Sequence, residues 1–551
     1  MGEGIARASA GQVFPWLVRR RSERFARLLK KSGRVGNATA LAAASVRNAL
    51  LSALVAFPAA ALLGVLISPL FALVALAPLA VAEAPELRMR GQVAQRREGA
   101  ERELLFFAIL ASVLGSAGVP LYAVLKDLAG SDAFEWIGRE AKLARRDVEV
   151  LGMNANEALE RLAGSHPSKR FGDFLLGYTS KARSGGDVSF YLVGEGGSLL
   201  RGLQEGWTRY GARVGIIGSM MITAFGVVPL LLMVIGIFSP GVSVFGLAVF
   251  TGLGVPALTV ALIHMAGMMQ PVRGEAIRGR AGMAALLALP GVLVGVLTGL
   301  AWAGAAAALF AFFVLYGISV RRRLSETKGV DEGVARFLQD LLEYKRQEYD
   351  LTRAVLAIES STRYNQHFDR LLAKVAAHLR AGVPLDEIRV DWRNRLGRMT
   401  FLLLGEMSRS GGGTVDTVYQ MSSFAGNLAE MRKNARAEMK PYVALSYVSP
   451  LLLAFGVTFV EGVLSSFGAR GTPGISPLHM NGIQLGSVPP GLSQMSDLLI
   501  VVSAASLGMI GAKISDLTVR NTLMASLNVA LAVGAIALMT AFASHSPSYF
   551  V

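Results

Sequence analysis

The chain has no cysteine among its 551 residues, which excludes disulfides and thiolate metal sites outright. It is also poor in charge, at 17% charged residues where soluble domains carry roughly 25%. With 52% of the chain hydrophobic, it is too apolar to be one globular core. No G-x-x-x-x-G-K-[S/T] phosphate loop and no G-x-S-x-G nucleophile elbow occurs. The run Gly194-Glu-Gly-Gly197 lacks a strand–turn–helix setting and reads as a loose turn. The histidines are His166, His264, His367, His378, His479 and His545, and no two share a helical metal spacing. No catalytic residue, metal or cofactor is therefore expected, and the chain does not read as an enzyme. The net charge of +16 fits a cytoplasmic excess of Lys and Arg in a membrane protein. Nucleic acid is not expected as a partner, because the basic bunches lack interleaved aromatics.

What the chain has in abundance is long apolar runs. A helix needs ~20 mainly apolar residues to cross a ~30 Å hydrocarbon core. Nine runs qualify or nearly so: Ala49–Ile67, Leu70–Ala82, Val214–Phe238, Val242–Met265, Met283–Leu300, Ala303–Val320, Tyr442–Phe467, Leu498–Ala512 and Leu523–Ala543. Residues 283–320 would be nearly twice the core thickness as one helix, at ~1.5 Å per residue, so two helices are expected there. With the N-terminus inside, the outer connections hold a single basic residue, Arg470, while short inner segments hold Arg273, Arg278, Arg280, Lys513 and Arg520. The positive-inside rule then places the N-terminus and both long polar segments in the cytoplasm and the C-terminus outside. Carboxylates at mid-membrane, which ion-coupled transport uses, are nearly absent: Glu461 and His264 lie towards span ends, and Asp516 flanks one.

The expected organisation is all-α. A basic amphipathic segment (1–48) precedes a membrane hairpin (49–84) and a first cytoplasmic helical-bundle domain (85–212). Four spans (213–320) lead to a second such domain (321–441), and three spans (442–551) follow with an outer loop at 468–496. In the basic segment, Leu17, Val18, Phe25, Leu28 and Leu29 share one helical face, ringed by Arg19, Arg20, Arg24, Arg27, Lys30 and Lys31. Helices of that kind lie on anionic membrane surfaces.

The two polar segments echo each other. Ala123-Val-Leu is followed by Leu175-Leu-Gly-Tyr-Thr-Ser-Lys-Ala-Arg-Ser-Gly-Gly186, and Ala354-Val-Leu by Leu403-Leu-Gly-Glu-Met-Ser-Arg-Ser-Gly-Gly412, at nearly equal intervals. A third echo, Ala117-Gly-Val-Pro-Leu121 and Ala381-Gly-Val-Pro-Leu385, sits at non-equivalent places. These duplicated helical domains, each leading into membrane helices, resemble the type II secretion system F superfamily, the platform proteins of type IV pili, type II secretion systems and archaella. The extra spans are similar to the longer archaeal members. The family's acidic residue before the Ser-Gly turn matches Glu406, whereas the first domain has no acid there, with Tyr178 and Lys181 nearby.

The resemblance implies a platform, homodimeric, on which a cytoplasmic hexameric ATPase docks and which extracts pilin-like subunits from the bilayer. Surface residues at turns are the expected motor contacts: Lys142, Arg145 and Arg146; Lys169, Arg170 and Arg183; Arg389, Arg393, Arg395 and Arg398; and Glu406 with Arg409. Charge at such turns steers encounter with an acidic partner. The competing reading is a polytopic transporter or channel with regulatory cytoplasmic domains.

Overall fold

A computed structural model of the chain describes residues 15–33, 36–66, 77–116, 118–130, 134–238, 240–271, 281–388, 394–411, 413–469, 479–480, 483–484 and 491–545. Apart from one two-residue antiparallel pair, β1 (His479–Met480) with β2 (Ile483–Gln484), the regular elements among these residues are helices. The chain opens with α1 (Pro15–Ser32), α2 (Ala38–Leu66) and the long α3 (Ala77–Ser116). Shorter helices follow: α4 (Leu121–Leu128), α5 (Glu135–Glu149), α6 (Ala155–Ser165) and α7 (Lys169–Arg183). Next come α8 (Val188–Ile222), α9 (Val228–Phe238), α10 (Pro240–Val249), α11 (Val255–Met269), α12 (Ala281–Thr298) and α13 (Ala301–Arg346). The last are α14 (Leu351–Ser361), α15 (Gln366–Arg380), α16 (Arg395–Ser410), α17 (Val415–Ala469), α18 (Leu492–Asp516) and α19 (Leu523–His545).

Among the described residues, seven helices are long and apolar enough to cross a membrane: Ala38–Pro58, Val188–Ile235, Val244–Met269, Ala301–Arg346, Val415–Val460, Leu492–Asp516 and Leu523–Ala541, with a shorter apolar helix at Gly282–Gly295. Each overlaps one of the nine runs. The remaining run, Leu70–Ala82, falls mostly outside the described residues. Residues 283–320 do form two helices, α12 and α13, parted at Gly299 in the left-handed region (φ 68°). The chain is an all-α, multi-pass membrane protein by this architecture. Two spans contain a π-helical turn, Thr223–Val227 and Phe250–Gly254, and each turn is followed by Val228-Pro229 or Val255-Pro256. Proline has no N–H and crowds the carbonyl four residues back, and a locally wider turn accommodates it inside a span.

The chain divides into two compact units. One comprises Met1–Leu200, Leu341–Leu356 and Ala377–Met421, the other Arg201–Asp340, Ala357–Ala376 and Ser422–Val551.

In the second unit, α18 is the central pillar: 72% of its apolar window is buried, against 22–39% for the other candidate spans. Backbones approach closely where glycine leaves out a Cβ. Gly508 of α18 abuts Ala525 of α19, and an added Cβ at Gly295 of α12 would stand 2.8 Å from the Gly304 Cα of α13. Gly218 of α8 receives the Tyr442 ring of α17. Polar contacts gather at the Asp516 end of α18. Lys328 Nζ of α13 donates to Asp516 Oδ1 (2.6 Å), and Asn521 Nδ2 donates to Asp516 Oδ2 (2.5 Å). Lys513 Nζ donates to Gln270 Oε1 (2.9 Å), and Thr522 Oγ1 to the Phe313 carbonyl (2.7 Å). Arg432 of α17 pairs with Asp331 of α13. The three long helices α8, α13 and α17 are thereby tied to one another or to the pillar.

In the first unit, the apolar face of α1 is already occupied: Phe25 is buried against Ala42 of α2 and Met89 of α3. That face packs on protein, where the sequence pointed to a membrane surface. Arg96 of α3 then ties three helices, because Nε and Nη2 donate to Glu140 of α5 (2.8 and 2.5 Å) and Nη1 to the Lys31 carbonyl (2.8 Å). The buried Glu103 carboxylate accepts the N–H groups of Glu135, Trp136 and Ile137 at 3.1, 2.9 and 2.8 Å. It thus caps α5 from another helix and meets the positive end of its dipole. Gly99, one turn earlier on α3, accommodates the Trp136 ring, and in the second unit Gly333 of α13 accommodates Phe368 of α15 in the same way.

His166 closes this core, with Nδ1 accepting the Ser168 N–H (3.0 Å). Burial lowers its pKa from 6.5 to about 4, against the opposing pull of Glu140. Between those two values the unfolded chain binds a proton that the folded chain refuses. The unit accordingly loses stability as pH falls from about 6.5 towards 4, by up to roughly 3 kcal/mol, and keeps it in full above. Thermal unfolding in detergent from pH 7.5 to 4.5 should show this loss, and His166→Gln should flatten the slope. An equal slope in the variant would assign the proton to another group.

Candidate functional site

The repeated motifs prove to be helix-ending devices. Gly185 and Gly411 of the Ser-Gly-Gly turns both adopt φ 68° just after α7 and α16, where an L side chain would be strained. Gly118 and Gly382 of the Ala-Gly-Val-Pro-Leu echoes sit at φ 81° and 82°. The following N–H, of Val119 or Val383, closes back on the Leu114 or His378 carbonyl at 3.0 Å. These are Schellman caps ending α3 and α15, which explains why the same five residues recur at non-equivalent places. The Ala-Val-Leu triplets, in contrast, fall on α4 and α14, the helices that follow the long α3 and α13 in each segment.

At the paired motif position the two segments diverge chemically. Tyr178 is buried on α7, and its hydroxyl accepts the Leu121 N–H (3.0 Å) at the start of α4. Glu406, its counterpart on α16, is half-buried and accepts from Arg409 Nη2 (2.6 Å). Arg409 also donates to Asp127 Oδ2 at the end of α4 (2.6 Å). Hydrogen bonds and charge from Glu406 and then Asp127 raise the Arg409 pKa above its ordinary value.

The next residue on α4, Lys126, pairs with Glu149 (3.0 Å), which also receives Arg145 (2.7 Å). Arg145 first, then Lys126, holds the Glu149 carboxyl below its usual range. A chain of alternating charge therefore runs over the surface of the first unit: Glu406, Arg409, Asp127, Lys126, Glu149 and Arg145.

Two of the other predicted contact residues are also committed. Arg146 pairs with the buried Asp147 (2.7 Å), and Arg183 with Glu160 (2.8 Å). Arg398 is half-buried with its Nε shielded from solvent. Lys142, Lys169 and Arg170 are exposed and form no ion pair among the described residues. Arg395 begins α16, and Arg389 and Arg393 lie outside the described residues. The acids Asp127 and Glu149 were missing from the sequence reading. Glu149 carries a signal, the i,i+4 spacing from Arg145, whereas Asp127 lies 282 residues from Arg409 and carries none. No group of three or more potential metal ligands occurs among the described residues.

Exposed pairs of this kind are screened by water and salt, so the chain of charge holds shape only weakly. A double-mutant cycle with Arg409→Ala and Asp127→Ala should give a coupling of about 0.5–1 kcal/mol at low salt, reduced by added salt. Zero coupling in denaturant unfolding would remove this contact from the account.

Residues 106–236 match the family model described as type II secretion system (T2SS), protein F. No curated protein and no solved structure matches the chain. The matched stretch begins within α3, takes in α4 to α8 and ends in α9. That match supports the type II secretion system F superfamily to which the paired motifs point.

Proposed function

We propose that the chain is the membrane platform of a type IV pilus-like filament or secretion machine. In this reading, a hexameric ATPase docks on the cytoplasmic helical domains of a dimer, and the membrane helices receive pilin-like subunits. The observation that carries it is the protein F domain, whose last helix, α8, continues without a break through a π turn into α9, within one candidate span. A helix is stiff along its axis, so displacement of its domain end is delivered into the bilayer. The contacts of α8, α13 and α17 near the Asp516 end of α18 would gather such displacements.

The alternating surface charge suits a contact that is remade in each motor cycle, because exposed pairs are weak and fast to exchange. Lys142, Lys169 and Arg170 are the cations available for an acidic motor surface. Transport has less support: the charged Lys513 and Asp516 are engaged by Gln270, Lys328 and Asn521, as structural anchors are.

The full-length protein in detergent should bind the assembly ATPase encoded beside it and raise its turnover. The triple variant Lys142→Glu, Lys169→Glu and Arg170→Glu should weaken binding by about tenfold, from the loss of rim electrostatics. No binding by the unaltered protein would overturn the platform reading.

A further inference from the structure

Helix α1 stands alongside α2 and α3 with a fixed polarity. Its Arg21 lies 3.3 Å from Ser45 Oγ of α2 and donates to the Ala82 carbonyl (2.8 Å) and Glu83 (2.5 Å) of α3. Further along, Phe25 meets Ala42 and Met89, and the Lys31 carbonyl meets Arg96. α1 therefore runs antiparallel to α2 and parallel to α3. The last charge on α2 is Arg47; residues 49–66 carry none, and Leu50, Leu51, Leu54, Val55 and Phe57 are exposed there as lipid-facing residues are. With Arg21 level with Ser45, Trp16 in the first turn of α1 lies ~7.5 Å further on, at ~1.5 Å per residue. That is the level at which α2 becomes wholly apolar.

The face of α1 turned away from its own core carries Arg19, Arg20, Arg24, Arg27, Lys30 and Lys31, exposed, with Glu23 the one exposed acid on the described helix. At the membrane end of this face stands Trp16, 62% exposed. An exposed Trp at the apolar boundary sits where interfacial aromatics sit, and the adjacent arginines match the phosphates of lipid headgroups in charge and geometry.

We propose that the first turns of α1, through Trp16, Arg19 and Arg20, bind the headgroups of anionic lipids. The upright stance makes the contribution graded. Arg19 and Arg20 lie at the headgroup level, whereas Lys30 and Lys31 stand on the order of 15 Å higher, beyond a Debye length of ~8–10 Å. The apolar face takes no part, since the protein core holds it. This inference needs α2 to be a span, but it does not depend on the platform reading.

The absence of cysteine makes a site-specific probe straightforward. Full-length Glu23→Cys, carrying a nitroxide, would be placed in nanodiscs of phosphatidylcholine alone or with one-third phosphatidylglycerol, a fraction of roughly the order at which basic segments bind. Collisions with an aqueous nickel complex should fall at least about twofold in the anionic discs, and high salt should restore them. Added Arg19→Glu and Arg20→Glu should abolish the fall, and added Lys30→Glu and Lys31→Glu should leave it. These positions are exposed, so helix content and gel-filtration behaviour should be unchanged, and a variant failing either check would be replaced by the Gln pair. Equal accessibility in the two discs would overturn the proposal. So would equal effects of the near and far pairs, which would mean that the whole basic face lies on the bilayer. Retained motor binding in every variant would leave the platform reading untouched.

Discussion

Inside a bilayer no water pairs with backbone N–H and C=O groups, so a spanning segment must satisfy them along its own axis. The rest of this structure follows from that constraint. It makes the spans helical, and it gives α8, α13 and α17 reason to continue as helices where their sequences turn polar. α13 passes from the apolar Ala301–Val320 stretch into Arg321–Arg346 with no break. α17 runs 55 residues even though Pro441 and Pro450 lie within it. Where proline does interrupt the ladder of α8–α9 and α10–α11, the helix widens to a π turn and carries on.

Lipid tails are as apolar as leucine, so helices in a bilayer gain little by burying leucine against each other and associate through close fit and polar contacts. The second unit shows both means. Glycines at 508, 295 and 218 admit a neighbouring backbone or ring, and the Lys328–Asp516–Asn521 cluster adds charge-assisted bonds. Asp516 has a side chain only 8% exposed, and removing Lys328 alone would leave a buried carboxylate poorly compensated.

The helical class, the multi-pass architecture and the break between α12 and α13 were legible because hydropathy and a glycine state them locally. The paired motifs were legible as a family resemblance, but their physical role was not. Ser-Gly-Gly and Ala-Gly-Val-Pro-Leu end helices, and only backbone geometry at Gly185, Gly411, Gly118 and Gly382 shows it. The deeper repeat, Gly99 under Trp136 and Gly333 under Phe368, escaped notice because the partners stand some 35 residues apart and differ in identity. The sequence marks α1 as amphipathic, but an apolar stripe does not say whether lipid or protein covers it, and here Ala42 and Met89 do. Arg409 was singled out as a partner contact, but its own partners, Asp127 and Glu406, become visible only when the chain has folded.

The two segments share helix-ending turns and differ in surface chemistry. Tyr178 turns inward to hold the start of α4, while Glu406 turns outward into the chain of charge. Under the proposed function, that asymmetry would let the two domains meet a motor on different terms. In the proposed function, work done on the helical domains would reach the membrane bundle. The most direct measurement is the distance between nitroxides at Lys142→Cys on α5 and Leu538→Cys on α19, in the full-length protein bound to its motor. The account predicts a distance distribution that shifts by several ångströms between ADP and a non-hydrolysed ATP analogue. A distribution that stays fixed across nucleotide states, with the motor bound, would contradict it.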